Sequence, residues 1–239
     1  MEPVLFYGVP HGCSFGSIVA LEWLGLPYRL CRIDMLSGLE GDLFARMNPQ
    51  RKTPTLLLED GEVLTESSAI LNHLAARDLS RKLTFPQGTR EFDRVNRALG
   101  FLNSGLFTAF IPAWAAFKLE DGAPEKDFLR AMARENVAKC YAHIESMLIG
   151  QEWLAGNGRT VADAYLIAIA RWGEDLELFD IEREYPRLHA HMRKLEADKA
   201  VIFAHAIEDG KPATTSGGFR GHISLKELNP HPVMHATGR

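Results

Sequence analysis

The chain has 239 residues, 24% charged and 46% hydrophobic, enough to bury a good core as one large domain or two small ones. A net charge of −4, a pI near 6.1 and the lack of a dense basic cluster exclude nucleic acid as an expected partner. The start, Met1-Glu2-Pro3-Val4, lacks the basic region of a signal peptide, and no apolar run approaches the ~18 residues of a membrane span. Three scattered cysteines (Cys13, Cys31, Cys140) make no disulfide framework, so a cytoplasmic protein with reduced thiols and no membrane partner is expected.

Residues 4–7 read as a strand, and a turn-rich loop over 8–12 leads into a helix over 13–24 that Gly25 and Pro27 end. A second strand spans 28–33, and a short helix over 39–47 stops at Asn48-Pro49. Strands over 55–59 and 63–64 flank Asp60-Gly61, a hairpin turn signal. A helix over 67–77 then carries Ile70, Leu71 and Leu74 on one face. The order βαβ-α-ββα predicts an α/β domain over 1–79 with a mixed four-stranded sheet.

After a linker at 80–89 the strand signals stop. A helix over 90–110 meets Pro112, which marks a kink or an end. The helix over 127–148 places Val137, Cys140, Tyr141, Ile144 and Leu148 at helical spacing. Thr160-Val161-Ala162-Asp163 opens the most apolar helix, 164–172, with Thr160 and Asp163 spaced like a capping box. Being apolar all round, that helix belongs in the centre of a bundle. Helices over 185–196 and 200–208 complete an all-α domain over 90–208, and a Gly-, Pro-, Ser- and His-rich tail over 209–239 is expected to drape on the surface.

Pro54 carries the functional signal. In Lys52-Thr53-Pro54-Thr55-Leu56 the proline stands at a strand's first residue, where no ladder donor is needed. A cis Thr53-Pro54 bond would turn the preceding backbone outward and leave an N–H and a C=O for an extended peptide ligand. Twelve residues after Pro54, Glu66-Ser67 offers a carboxylate, a hydroxyl and the free N–H groups of a helix start. Read singly, Pro54 is a strand-edge proline and Glu66-Ser67 a cap; together they outline a peptide-sized site.

In this order and spacing the segments resemble the glutathione S-transferase superfamily over about residues 1–208. The loop Tyr7-Gly8-Val9-Pro10-His11-Gly12-Cys13-Ser14 resembles the bacterial beta-like members, which place a cysteine and then a serine at the first helix. Departures are visible. Phe107-Thr108 stands where beta enzymes carry a His-Lys pair, and Met35-Leu36-Ser37 lacks their basic residue. The zeta class has Ser-Ser-Cys where this chain has His11-Gly12-Cys13, and Tyr7 lies inside the strand rather than in the loop.

The resemblance implies a thioredoxin-like domain, an all-helical domain and glutathione as co-substrate. It implies a cis Pro54, a Thr53 backbone that holds the cysteinyl unit, and Glu66-Ser67 on the γ-glutamyl end. Lys52 and His11 complete the expected glutathione-binding set, although His11 could equally fill the loop. Cys13 and Ser14 are the expected catalytic residues. A helix start lowers a thiol's pKa, so Cys13 becomes a nucleophile, or the same donors and the Ser14 hydroxyl hold the glutathione thiolate. Cys13 as a small packing residue and Ser14 as a plain cap are the alternatives. Phe15 and Gly16 follow, so no resolving cysteine is near and only monothiol chemistry remains.

Pro10, Phe107, Phe110, Ile111 and Trp114 are the expected electrophile pocket, though an aromatic stripe of this kind also suits a core. No metal is expected: His189 and His191 diverge on their helix, and His222, His231 and His235 have no ligand spacing. A homodimer is implied, with the helices after Glu66 and after Arg90 at the interface and Asn103 facing the neighbour. Three functions follow: conjugation of glutathione to apolar electrophiles in detoxification, thiol transfer through a Cys13 mixed disulfide, or a non-catalytic binding module.

Overall fold

The computed structural model of this chain describes residues 2–36 and 41–228. Residues 39–40 of the expected second helix, together with Ser37, His231 and His235, lie outside them. Strands β1 (Val4–Val9) and β2 (Tyr28–Asp34) are parallel and joined through helix α1 (Phe15–Leu24). Helix α2 (Gly41–Met47) leads to β3 (Thr55–Leu57), antiparallel to β1, and β3 pairs with β4 (Val63–Thr65) ahead of α3 (Ser67–Ala76). Side chains alternate across this sheet. Leu5, Tyr7, Val9, Leu30 and Leu56 join the core with α1 and α3, whereas Val4, Phe6, Cys31, Ile33 and Leu57 pack with Phe44 and Met47 of α2.

The second domain starts at α4 (Arg90–Phe101), capped by Thr89, whose hydroxyl accepts from the Phe92 N–H. The expected 90–110 helix is not one rod. A wide π-type turn, Leu102–Leu106, follows α4 and leads into the short α5 (Phe107–Ala109) and α6 (Ile111–Phe117). The run breaks at Phe110, as Pro112 led us to expect, and Pro112 sits in the first turn of α6, where no N–H is required. By length and composition Arg90–Phe117 could cross a membrane, but here its buried side packs on α7 (Pro124–Met147) and α8 (Val161–Ala170). The short α9 (Trp172–Asp175) and α10 (Ile181–Glu184) follow, then α11 (Pro186–Glu196) and α12 (Lys199–Glu208).

Every residue of α1 and of α8 is buried. The two helices cross at Gly16, where a Cβ would stand 2.6 Å from the Ala164 carbonyl oxygen, so only glycine permits the approach. The other sides of α1 face the sheet, α3 and α12. At the start of α8 the capping box forms as expected: the Asp163 carboxylate accepts from the Thr160 N–H at 2.8 Å. Asp163 also accepts from the Thr160 hydroxyl at 3.1 Å and the Leu154 N–H at 3.1 Å, and it pairs with His191 Nε2 at 2.9 Å. At the far end of α8 the Arg171 guanidinium binds both Glu208 oxygens at 2.8 and 3.0 Å and lies 4.0 Å over the Phe15 ring.

The tail corrects the four-strand expectation. Residues of the 209–239 segment supply strand β5 (Phe219–His222), parallel to β2, and the sheet order is β4-β3-β1-β2-β5. A last short helix, α13 (Leu225–Leu228), puts Leu225 into the core beside α2. The anchor is Glu22, 3% exposed in the middle of apolar α1. Its carboxylate accepts from the Ser216 N–H, the Ser216 and Thr215 hydroxyls and the Tyr28 hydroxyl, at 2.6 to 2.8 Å. A buried carboxylate needs such donors, and the tail provides most of them. Phe219 then stacks on Tyr28 and Phe203.

Candidate functional site

A cleft of about 130 Å³ lies where the two domains meet, lined by Cys13, Asn48, Gln50, Lys52, Thr53, Pro54, Thr65, Glu66, Ser67, Asn103, Phe107 and Tyr165. Larger hollows of about 540 Å³ near Leu21 and Leu74 and of about 860 Å³ near Arg32 and His222 lack its chemistry. Neither combines a thiol, a strand edge and an open helix start. The cleft brings seven of the expected site residues into one place: Cys13, Lys52, Thr53, Pro54, Glu66, Ser67 and Phe107.

The peptide-binding edge is built by local hydrogen bonding. Asn48, 3% exposed, donates from Nδ2 to the Lys52 carbonyl at 2.9 Å and to the Thr55 hydroxyl at 3.0 Å, and its Oδ1 accepts from the Gln50 N–H. The 48–53 loop is thereby folded back, and a cis Thr53-Pro54 bond enters β3. The Lys52 side chain is exposed at the rim. Gly8 closes the other side: a Cβ there would meet Thr53 Oγ1 at 2.3 Å, so glycine lets β1 end against Thr53 without displacing that side chain. Glu66, with φ of 70°, occupies a left-handed conformation rare for a residue with a side chain, at the N-terminus of α3. The Glu66 side chain makes no cap bond to that helix start, and Glu66 and Ser67 line the cleft.

Cys13 stands two residues before α1, outside its first turn. Its thiol donates to the Thr53 carbonyl at 3.5 Å and receives the Ser67 hydroxyl at 3.6 Å. The expectation of a lowered thiol pKa is not met. Desolvation dominates and raises the Cys13 thiol above its ordinary range, opposed by the Ser67 hydroxyl and a backbone donor without being overcome. The helix start that was to activate it is also occupied, since the Phe15 N–H donates to the Gly12 carbonyl. We therefore expect iodoacetamide to modify Cys13 of the free protein more slowly than free cysteine at pH 7 to 8, and the rate to climb only toward alkaline pH. Fast alkylation at neutral pH, followed by mass spectrometry of the Cys13 peptide, would contradict this.

Two further expectations are corrected. Ser14 is fully buried and its hydroxyl accepts from the Gly8 N–H at 3.0 Å, so it braces the loop and does not reach the cleft. His11 turns the other way: Nδ1 pairs with Asp175 at 3.0 Å, a bond that raises the imidazole pKa, while the His11 carbonyl accepts from Trp172 Nε1 at 2.8 Å. Asn103 faces the cleft of its own chain, accepting from the Tyr165 hydroxyl at 3.0 Å.

The expected electrophile pocket divides. Phe107 lines the cleft, whereas Pro10 and Ile111 are exposed and are not among its lining residues. Trp114 is half-buried against Trp172, ring centroids 5.2 Å apart. Phe110 is core: it is fully buried between Tyr141 and Trp172. Sequence reasoning missed Asn48, Asn103, Tyr165 and Trp172. For Tyr165 a signal existed, a phenol inside an otherwise apolar helix, which needs a polar partner when buried.

A mixed sheet entered through a cis proline, joined to a helical bundle that closes over a cysteine and an open helix start, defines a two-domain thioredoxin-fold protein with a thiol-peptide cleft. Comparison with known proteins agrees. The chain matches the family descriptions "Glutathione S-transferase, N-terminal domain" over residues 13–77 and "Glutathione S-transferase, C-terminal domain" over residues 106–199. It is 32% identical over 168 residues to glutathione S-transferase GST-4.5 of Xanthomonas campestris pv. campestris, covering 70% of this chain and 80% of that one. Identity to glutathione S-transferase GstA of Escherichia coli O157:H7 is 30% over 176 residues, 73% and 84% of the two chains. Among solved structures, a sphingomonad glutathione S-transferase complexed with glutathione is 30% identical, with a TM-score of 0.76 over 86% of this chain and 98% of that one. The protein belongs to the glutathione S-transferase family of enzymes. Strand β5 and α13 lie beyond the end of its C-terminal domain match.

Proposed function

We propose that the protein binds glutathione in the Cys13 cleft, ionises its thiol and joins it to an apolar electrophile admitted beside Phe107, Pro10, Ile111 and Trp114. The observation that carries this reading is the cleft's pairing of an outward Thr53 backbone with an uncapped helix start bearing Glu66 and Ser67. The Thr53 N–H and C=O pair with the cysteinyl unit. Ser67 and the first N–H groups of α3 take the γ-glutamyl carboxylate, Glu66 takes its ammonium, and Lys52 lies along the glycyl side.

Cys13 acts as a donor in this scheme. Glutathione displaces the Cys13-to-Thr53 bond, and the neutral thiol then donates to the glutathione sulfur, which favours its thiolate. The glutathione thiol gives its proton to solvent water, the thiolate attacks the electrophilic carbon, an S–C bond forms, and the leaving group departs with the bonding pair.

A second reading is favoured by the position of Cys13 itself, whose sulfur lies at the Thr53 carbonyl. Cys13 attacks a glutathione mixed disulfide, releases the other thiol and becomes glutathionylated; a second glutathione then yields oxidised glutathione and restores Cys13. The raised Cys13 pKa opposes this route at neutral pH. Turnover of an aromatic halide and of a glutathione mixed disulfide by wild type and Cys13→Ala separates the two. We expect Cys13→Ala to retain halide conjugation within about tenfold and to lose disulfide turnover; loss of both together would hand the chemistry to the mixed-disulfide route. Absence of halide turnover by wild type would remove the leading reading.

Homodimerisation along α3 and α4 and a cytoplasmic location complete the proposal, the latter supported by Cys13, Cys31 and Cys140 forming no disulfide.

A further inference from the structure

The hollow of about 860 Å³ is walled by the end of β2, the end of α12 and the tail that forms β5 and α13, and it shares no lining residue with the Cys13 cleft. Its size is that of a small-molecule site. His222, Ile223, Ser224 and Glu227 in its wall lie beyond the C-terminal domain match, so the tail builds a cavity of its own.

Sheet register brings its polar groups together. Tyr7 of β1 stands opposite Arg32 of β2, and β5 adds His222 beside Leu30. Tyr7 is 1% exposed, and its hydroxyl bonds His222 Nε2 at 3.0 Å. Arg32 Nη1 donates to the Glu208 and Ile207 carbonyls at 3.1 and 3.4 Å, which holds the guanidinium against the end of α12. That guanidinium pairs with no carboxylate among the described residues. Its Nε–Nη2 edge, the one that grips a carboxylate through two parallel bonds, is left for a ligand. Burial raises the Tyr7 phenol pKa against the pull of Arg32, while burial and then Arg32 lower that of His222. At neutral pH the hollow thus holds a neutral phenol, an uncharged imidazole and one unpaired cation. The other charges are committed. Lys211 pairs with Asp209 at 2.8 Å, Asp34 accepts from the Leu36 N–H at 2.9 Å, and Glu227 accepts from the Ser224 N–H and hydroxyl at 2.8 and 2.6 Å. These carboxylates stand against a doubly charged phosphate, and Ile207, Pro212 and Ile223 supply apolar wall.

We propose that this hollow is a second ligand site, for a small carboxylic acid with an apolar body, whose carboxylate lies on the Arg32 fork beside the Tyr7 hydroxyl. With His222 Nε2–H donating to the phenol oxygen, Tyr7 turns its own proton to the carboxylate. The body of the acid packs on Ile207, Pro212 and Ile223. The site is independent of the glutathione reading of the Cys13 cleft.

Naphthoate, titrated calorimetrically into the full chain, is the probe. Arg32→Gln keeps a polar side chain but removes the charge and the fork, and should weaken binding about tenfold or more. Tyr7→Phe leaves Arg32 clamped on α12 and should weaken binding about threefold, so it decides the matter if Arg32→Gln does not fold. Naphthamide, the same body without the charge, should bind about tenfold more weakly than naphthoate. With naphthoate bound, amide hydrogen exchange should slow over residues 207–212 and 219–224 and stay unchanged around Thr53 and Ser67. No naphthoate binding by wild type, wild-type affinity in either folded variant, equal binding of naphthamide, or protection at the Cys13 cleft would each overturn the proposal. Binding of inorganic phosphate in place of naphthoate would overturn it as well, by changing the class of ligand.

Discussion

Asp163→Ala should lower the unfolding free energy by about 4 kcal/mol, the sum of several lost hydrogen bonds to a charged acceptor inside the core. Asp163 is fully buried and receives the Thr160 N–H, the Thr160 hydroxyl, the Leu154 N–H and His191 Nε2. Alanine leaves the two N–H groups without an acceptor and strands His191, only 5% exposed, in an apolar setting. Because α8 is the helix around which the bundle packs, the loss should be global rather than local. Urea unfolding followed by circular dichroism measures it. Asp163→Asn should recover only part, since one of its two positions becomes a donor. A loss below about 1 kcal/mol, the scale of an ordinary helix cap, would show that the residue is no more than that.

Arg171→Met should cost about 3–5 kcal/mol, because it leaves Glu208 buried without its counter-charge. Both side chains are at most 7% exposed. Burial already raises the Glu208 pKa, and Arg171 is the chief group holding it down. Without Arg171 the folded-state pKa rises further above the unfolded one. The variant should therefore be most stable at acidic pH, where Glu208 is protonated, and should weaken as pH rises through that folded-state pKa. The double variant Arg171→Met/Glu208→Leu removes both charges and should return to within about 2 kcal/mol of wild type. Equal losses in the single and double variants would show that the Arg171 stem and its contact with Phe15 matter more than the charge.

The chain's local signals carried much of this. Apolar spacing located α3 and α7, an all-round apolar run located α8, and Gly25 with Pro27 marked the end of α1. Pro54, Glu66 and Ser67 were legible because each satisfies a local backbone rule, whether strand entry or helix start. Thr160 and Asp163 were legible for the same reason. The misreadings share a different origin. The Cys13 pKa is raised by burial in a cleft that Thr53 and Ser67, far away in the chain, help to build, and the Ser67 hydroxyl only partly offsets it. Ser14 and His11 were each taken by a partner that only the fold supplies, the Gly8 N–H and Asp175. Phe110, in the turn between α5 and α6, and Trp114, on α6, lie four residues apart, yet one is fully buried and the other only half-buried, a division that periodicity alone does not make. Strand β5 hid in a glycine-rich stretch, although a carboxylate amid the apolar residues of α1 was a hint that something had to answer it.

That tail strand changes what the molecule offers to its surroundings. With the order β4-β3-β1-β2-β5, removing β5 would bare β2 from Tyr28 to Leu30 as a row of unpaired N–H and C=O groups, an invitation to any passing extended chain. With β5 in place that stretch is paired. The new outermost strand is only four residues long, its register slips between Tyr28 and Leu30, and Gly221 sits at φ of 101°. Such a short, irregular border makes a poor template for further strands. The C-terminal extension thus works as a selvedge, finishing the woven edge so that it does not recruit another thread.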